Sequence, residues 1–321
     1  MSEVHKFLFE GLPVRGMLVR LTDDWTGLLA RREGERAHPA PVRALLGEMA
    51  AASVLMQASI RFKGALLLQL HGDGPVRLAV AEVRSDLGFR ATASVTGELP
   101  PDAGLAAMVN AGGAGRCSIT LDPEDKLPGQ QPYQGVVPLH GDRREPLDRL
   151  SQVLEHYMLQ SEQLDTRLVL AADDRVAAGL LIQRLPVEGD GNLGARNEDE
   201  IGLNEGYNRI AHLASTLKPD ELLGLDADTI LRRLFWEERI RRFEPLAGAD
   251  GPRFSCTCSR QRVIRMLQGL GREEFDGLIA ERGLAEVGCE FCGAQYRFDA
   301  VDGGEVFTAA RDHPPASRAV Q

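Results

Sequence analysis

The spacing of apolar and polar positions over the first 186 residues predicts mostly strands, with helices between them. KFLFEGLPVRGMLVRL (6–21) reads as extended chain interrupted by a Gly-Leu-Pro turn. PVRALLGEMAAASVLMQASI (41–60) switches to helical spacing, with Pro41 in the first turn, where its missing N–H is tolerated. GALLLQLHGDGPVRLAVAEV (64–83) reads as a hairpin, because GDGP between two apolar arms supplies turn chemistry. FRATASVTG (89–97) alternates like a half-buried strand, and RCSITL, YQGVVPL and TRLVLAA continue the pattern. Between the last two, EPLDRLSQVLEHYMLQSE (145–162) is an amphipathic helix. Strands outnumber helices without alternating regularly with them, which disfavours a doubly wound sheet. The expected fold class is α+β, with a mixed sheet and helix domain over 1–186.

The pattern changes at VEGDGNLGARNEDE (187–200), which is Gly- and acid-rich, lacks an apolar period and reads as a mobile connection. Helices are expected at 204–217 and 226–243. The second carries Ile230, Leu231, Leu234, Phe235 and Trp236, which must pack on something. Residues 187–250 therefore read as a helical linker. A Pro- and Gly-rich break (244–252) leads into a small C-terminal domain over 251–308, and the tail 309–321 reads as disordered.

Composition narrows the function. A chain of 321 residues suggests about two domains. Its 43% hydrophobic and 26% charged residues are ordinary for a globular protein with a core. The net charge of −10 argues against whole-chain attraction to nucleic acid or anionic membrane. The apolar run at 49–60 is far short of the roughly 20 residues a membrane span needs. The N-terminus has charges and a Pro where a signal peptide needs an apolar stretch. Five cysteines, one left over after two pairs, do not make a secreted disulfide framework. A reducing cytoplasm is the expected location, and there close thiol pairs point to metal or redox chemistry. No G-x-x-x-x-G-K-[ST], G-x-S-x-G or H-E-x-x-H occurs. GDGNLG (189–194) matches G-x-G-x-x-G by chance, since an acidic stretch follows it where a phosphate-binding helix would start. The seven histidines are scattered, none inside the cysteine region, and Cys117, in RCSITL, reads as a buried small hydrophobe.

The other four cysteines carry the chemistry. Cys256 and Cys258 are one residue apart, and Cys289 and Cys292 follow after a gap of 30. Four thiolates suit a tetrahedral zinc ion, with Zn–S bonds of about 2.3 Å. Gly293, directly after Cys292, fits the tight turn that two ligands so close in sequence require. Between the pairs, 259–271 and 272–283 read as two short helices, each ended by glycine, and AQYRFDA follows as a short strand. A purely structural site would be served by two C-x-x-C knuckles. A C-x-C pair can also close as a tight, strained ring, and strained disulfides are the labile ones. Thiolates are the form that oxidants attack. Such a site could act as an oxidant trigger.

The spacing Cys256-x-Cys258, then Cys289-x-x-Cys292, resembles the redox-regulated holdase chaperones of the thirty-three-kilodalton heat-shock protein family. The resemblance extends to FSCTCSR and CEFCG, and to LFEGLPVRG, LQLHGDGPVRLAV, YQGVVPL and YMLQSEQLDTRL, in order over roughly 5–307. The connections at 122–132 and 187–200 are longer than usual, and EERIRRF is more basic. The resemblance implies a non-enzymatic, ATP-independent chaperone. Reduced and holding one zinc ion on Cys256, Cys258, Cys289 and Cys292, it would be an inactive monomer. Oxidation would join Cys256 to Cys258 and Cys289 to Cys292, release the zinc and unfold the zinc domain and linker. The exposed apolar surface, including Ile230, Leu231, Leu234, Phe235 and Trp236, would bind unfolding client proteins, and the chain would dimerise. The alternative is a zinc-ribbon nucleic-acid module, using Arg260, Arg262, Arg265, Tyr296 and Phe298. Against it, residues 251–308 hold seven Arg and nine acidic residues, a net −2. A thiol–disulfide oxidoreductase built on Cys289-x-x-Cys292 would need that motif to open a helix after a strand, and here it precedes a strand.

Overall fold

The computed structural model describes residues 1–32, 34–125, 129–186 and 198–308. The GDGNLG stretch, the connection up to residue 197 and the tail 309–321 lie outside the described residues. The chain divides into two compact units, Met1–Ser255 and Cys256–Gln321. Arg253 and Phe254 pair with Gly88 and Phe89 of the first unit.

The first unit opens with β1 (Glu3–Phe9), β2 (Val14–Leu21), α1 (Asp23–Leu29) and α2 (Ala40–Ser59). Then come β3 (Gly64–His71), β4 (Val76–Arg84), β5 (Gly88–Val95), α3 (Leu105–Val109), β6 (Arg116–Pro123) and β7 (Tyr133–Pro138). α4 (Leu150–Glu162), β8 (Thr166–Ala172) and β9 (Ala177–Arg184) complete the segment read as the N-terminal domain. The unit continues through α5 (Glu198–Ser215), α6 (Pro219–Gly224), α7 (Ala227–Phe235), β10 (Ile240–Arg242), β11 (Leu246–Ala247) and β12 (Arg253–Phe254).

The strands form two sheets. One runs β10-β1-β2-β9-β8, with β11 also on β1; the other runs β12-β5-β4-β3-β6-β7. α2 lies between them, against β4 and β5 on one side and β2, β8 and β9 on the other. That position explains its sequence, because a helix covered on all sides is apolar all round. Its middle, Met49 to Met56, is buried throughout. Backbone approach is close enough that a Cβ on Gly47 would come within 2.4 Å of the Ala172 Cβ.

The first sheet is covered on both faces. Met17, Val19 and Leu181 point into the core around α2. Phe7, Phe9, Leu18, Leu180 and Ile182 point the other way, onto α5, α6 and α7. Two covered faces make a strand read as a continuous apolar run, which is why β9 gives no alternation to recognise. Two guanidiniums help to hold the covering helices. Arg20 on β2 donates to Leu222 O at 2.6 Å and Leu223 O at 3.0 Å, at the end of α6. Arg242 donates to Asp228 Oδ1 of α7 at 2.6 Å.

Three expectations are corrected. The helix read over 226–243 ends at Phe235, and 240–242 form a strand. The edge of β1 leaves backbone groups that need partners, and Phe9 pairs with Ile240 there. Trp236 does not pack; it is 74% exposed. It stands one helical step beyond the stripe of Ile230, Leu231 and Phe235, which is buried, and of Leu234, which is partly buried. The helix read from residue 145 starts at Leu150, because 145–147 are held in a loop by Gly141 N to Glu145 O and Leu147 N to Leu139 O.

The second unit contains α8 (Arg260–Leu270), α9 (Arg272–Arg282), a hairpin of β13 (Ala285–Gly288) and β14 (Gln295–Phe298), and α10 (Ala300–Thr308). Its buried apolar core is Val263, Leu267, Phe275, Ala285, Phe298 and Val306. The Arg260 guanidinium lies 4.2 Å from the centre of the Phe298 ring and bonds Asp302 at 2.6 Å, tying α8 to β14 and α10.

Candidate metal centre

The second unit presents its four cysteines from two short backbone segments. Cys256 and Cys258 lie in the irregular residues before α8. Ser259 caps that helix, its hydroxyl accepting from Arg262 N at 3.2 Å. The Arg262 side chain turns back to donate to Thr257 O at 2.9 Å and to Thr257 Oγ1, so the residue between the cysteines is anchored to α8. Cys289 and Cys292 lie in the turn joining β13 to β14. Cys289 N donates to Ala294 O, and Gly293 N to Cys289 O, both at 2.8 Å. Gly293 has φ +71°, the left-handed conformation expected of a knuckle glycine.

The two segments bring all four Sγ atoms within 4.8 Å of one another. Cys256 Sγ and Cys289 Sγ are 3.7 Å apart, and Cys258 Sγ and Cys292 Sγ 3.3 Å apart. Tetrahedral bonds of about 2.3 Å put donor sulfurs roughly 3.8 Å apart, so the cluster can close on one ion with little movement. All four cysteines are unoxidised, with no disulfide between them, and half-buried.

The electrostatics point the same way. Acidic groups packed this closely cannot all ionise without a compensating cation. Burial pushes the Cys256 thiol up. Burial first, and then the sulfurs that accept its proton, pushes the Cys292 thiol up as well. For Cys258, burial also acts upward, but hydrogen bonds from Tyr296 and from the other sulfurs outweigh it and bring the thiol down to about 7. A bound dication would replace these shared protons and hold every sulfur as thiolate.

Tyr296 is the residue that the spacing did not reveal. It marked the sequence only as an aromatic beside the second cysteine pair, yet its Oη donates to Cys258 Sγ at 3.1 Å. That contact pushes the phenol up to about 12. Phe298, the other aromatic needed by a nucleic-acid ribbon, is fully buried. The Cys289-x-x-Cys292 motif occupies a hairpin turn and opens no helix. Cys117 lies apart in β6, fully buried, its thiol raised to about 12 by burial. That is the behaviour of a packing residue. Among the described residues, no helix is long and apolar enough to cross a membrane.

Four cysteine sulfurs gathered this closely could hold a metal ion, in a small unit that follows a two-sheet α+β unit. The family model described as Hsp33 protein matches residues 2–299, and the chain belongs to this family. It is 45% identical over 306 residues to the 33 kDa chaperonin of Chromobacterium violaceum, covering 95% of this chain and 94% of that one. To the 33 kDa chaperonin of Methylobacillus flagellatus it is 42% identical over 310 residues, covering 96% and 94%. To that of Nitrosococcus oceani it is 38% identical over 316 residues, covering 98% of each. The crystal structure of the 33 kDa chaperonin of Thermotoga maritima superposes with a TM-score of 0.72 at 20% identity, over 98% of this chain and 100% of that one, which extends the likeness in fold.

Proposed function

We propose that the chain is a redox-regulated, ATP-independent holdase. Reduced, with one zinc ion on Cys256, Cys258, Cys289 and Cys292, it is an inactive monomer. Oxidised, it dimerises and binds unfolding proteins, keeping them from aggregating. The observation that carries the proposal is the convergence of four cysteine sulfurs within 4.8 Å. Sulfur donors in this number and geometry suit zinc. When bound, zinc cross-links the two knuckles and keeps the sulfurs ionised.

The chain's own part is to surrender those donors. A peroxide or hypochlorite takes two electrons for each S–S bond formed, one between Cys256 and Cys258 and one between Cys289 and Cys292. The resulting disulfide sulfurs no longer offer charge to a cation. Six buried apolar residues are a small core for independent stability, so the second unit unfolds with its cross-link gone.

The proposed active surface is the outer face of the first sheet. Phe7, Phe9, Leu18 and Ile182 are covered there by Ile210, Leu222, Ile230, Leu231 and Phe235. The residues 187–250 act as the linker whose release uncovers this face, and a large apolar patch is what captures partly unfolded clients. Cys256 follows β12 after one residue, Ser255, and β12 follows α7, β10 and β11. Disorder starting at Cys256 thus has a covalent route to the linker.

The test is direct. Reduced protein should carry one zinc per chain and fail to stop a heated client from aggregating. Peroxide with mild heat, or hypochlorite, should release the zinc and switch suppression on. Equal suppression by the reduced, zinc-loaded form would show the proposal to be wrong.

A further inference from the structure

Tyr296 stands outside the donor set yet touches it. Its position is fixed by the hairpin: it lies opposite Val287 in the β13–β14 register, and its ring packs against the core of the unit. Its neighbour Arg297 bonds Glu286 across the hairpin at 2.7 Å. Cys258 comes from the other side of α8 and α9 in sequence. The 3.1 Å contact from Tyr296 Oη to Cys258 Sγ therefore ties the first knuckle to the strand that follows the second.

A hydroxyl donated to a sulfur does two things. It draws on the lone pair that an electrophile would attack, and it stabilises the negative charge a metal ligand must carry. Outer-shell hydrogen-bond partners of metal ligands typically matter by about 10–100-fold in metal affinity.

We propose that Tyr296 is a positioning residue for Cys258, its hydroxyl holding that sulfur in the donor set and shielding it from electrophiles. It thereby sets how readily the first knuckle lets go. The proposal rests on the zinc-switch reading above.

The test uses full-length, reduced, zinc-loaded protein and its Tyr296→Phe variant, which keeps the ring and removes only the hydroxyl. Zinc transfer to 4-(2-pyridylazo)resorcinol measures retention. Alkylation by iodoacetamide, resolved by peptide mass spectrometry, measures each thiol separately, and amide exchange over β13 and β14 monitors the fold. The variant should lose zinc at roughly a 10-fold lower chelator concentration and alkylate several-fold faster at Cys258. Cys289 and the amide exchange should match wild type. Unchanged retention and unchanged Cys258 reactivity would overturn the proposal. So would equal acceleration at all four cysteines, or faster amide exchange across the hairpin, since either assigns Tyr296 to packing alone. A wild type that carries no zinc would bring down the zinc-switch reading and this proposal together. A zinc-loaded wild type matched by the variant would bring down this proposal alone.

Discussion

Phe235 is where the covering of the first sheet can be loosened with the least collateral damage. Its ring is buried at the last turn of α7, edge-on to Phe9 with centroids 5.1 Å apart and tilted against Phe7 at 6.2 Å. Phe235→Ala removes these contacts and leaves a cavity, a change that costs about 3–5 kcal/mol. α7 is short and meets the sheet through Ile230, Leu231 and Phe235, so the loss falls mainly on local detachment of the helix. At about 1.4 kcal/mol per factor of ten, the lower figure raises the detached population on the order of a hundredfold. Native-state amide exchange at Leu231 and Leu234 should accelerate by that factor, with Leu55 in α2 unchanged as the internal control. The reduced variant should also suppress client aggregation measurably, without oxidant. If exchange in α7 matches wild type, or if α7 and α2 accelerate together, the helix is not a separately releasable cover and the reasoning fails.

Other perturbations probe the remaining pieces. Cys292→Ser removes one thiolate, and should lower zinc retention against a chelator and abolish oxidant-dependent switching, as followed by metal analysis and light scattering. Chelation of fully reduced protein should disorder the second unit while sparing α2 and its sheets, because structural zinc can contribute on the order of 10 kcal/mol. Amide protection in β13 and β14 that survives chelation would contradict this. Glu48, in the buried helix α2, is pushed up from 4.5 to about 7 by burial, with the Arg149 charge opposing. A carboxyl raised on folding contributes fully below its unfolded value and loses that contribution as pH rises through the folded one. Glu48→Gln should therefore match wild type in urea unfolding near pH 4 and exceed it near pH 8, on the order of 3 kcal/mol. A difference that does not grow with pH would show Glu48 ionising freely.

Much of the site was legible in local chemistry. The glycines that end α8 and α9, Gly271 and Gly283, take positive φ, as does Gly293 in the second knuckle. Each needs only its own backbone, so a neighbour or two in sequence is enough to announce it. The four sulfurs were marked by spacing for the same reason. The Tyr296 contact was hidden because it joins residues 38 apart through a hairpin register that no local period encodes.

The same division runs through the fold. Residue order alone specified the β3–β4 hairpin, the helical spacing of α2 and the close spacing of the four cysteines, since turn chemistry, helical period and ligand spacing act over a few residues. It could not announce β9, because strands covered on both faces lose their alternation. Nor could it turn 240–242 from helix to strand or leave Trp236 in solvent; the open edge of β1 and the direction of the α7 stripe did that. Such outcomes depend on which distant surface arrives to satisfy a backbone edge or cover an apolar face, and that is known only once the chain has closed on itself.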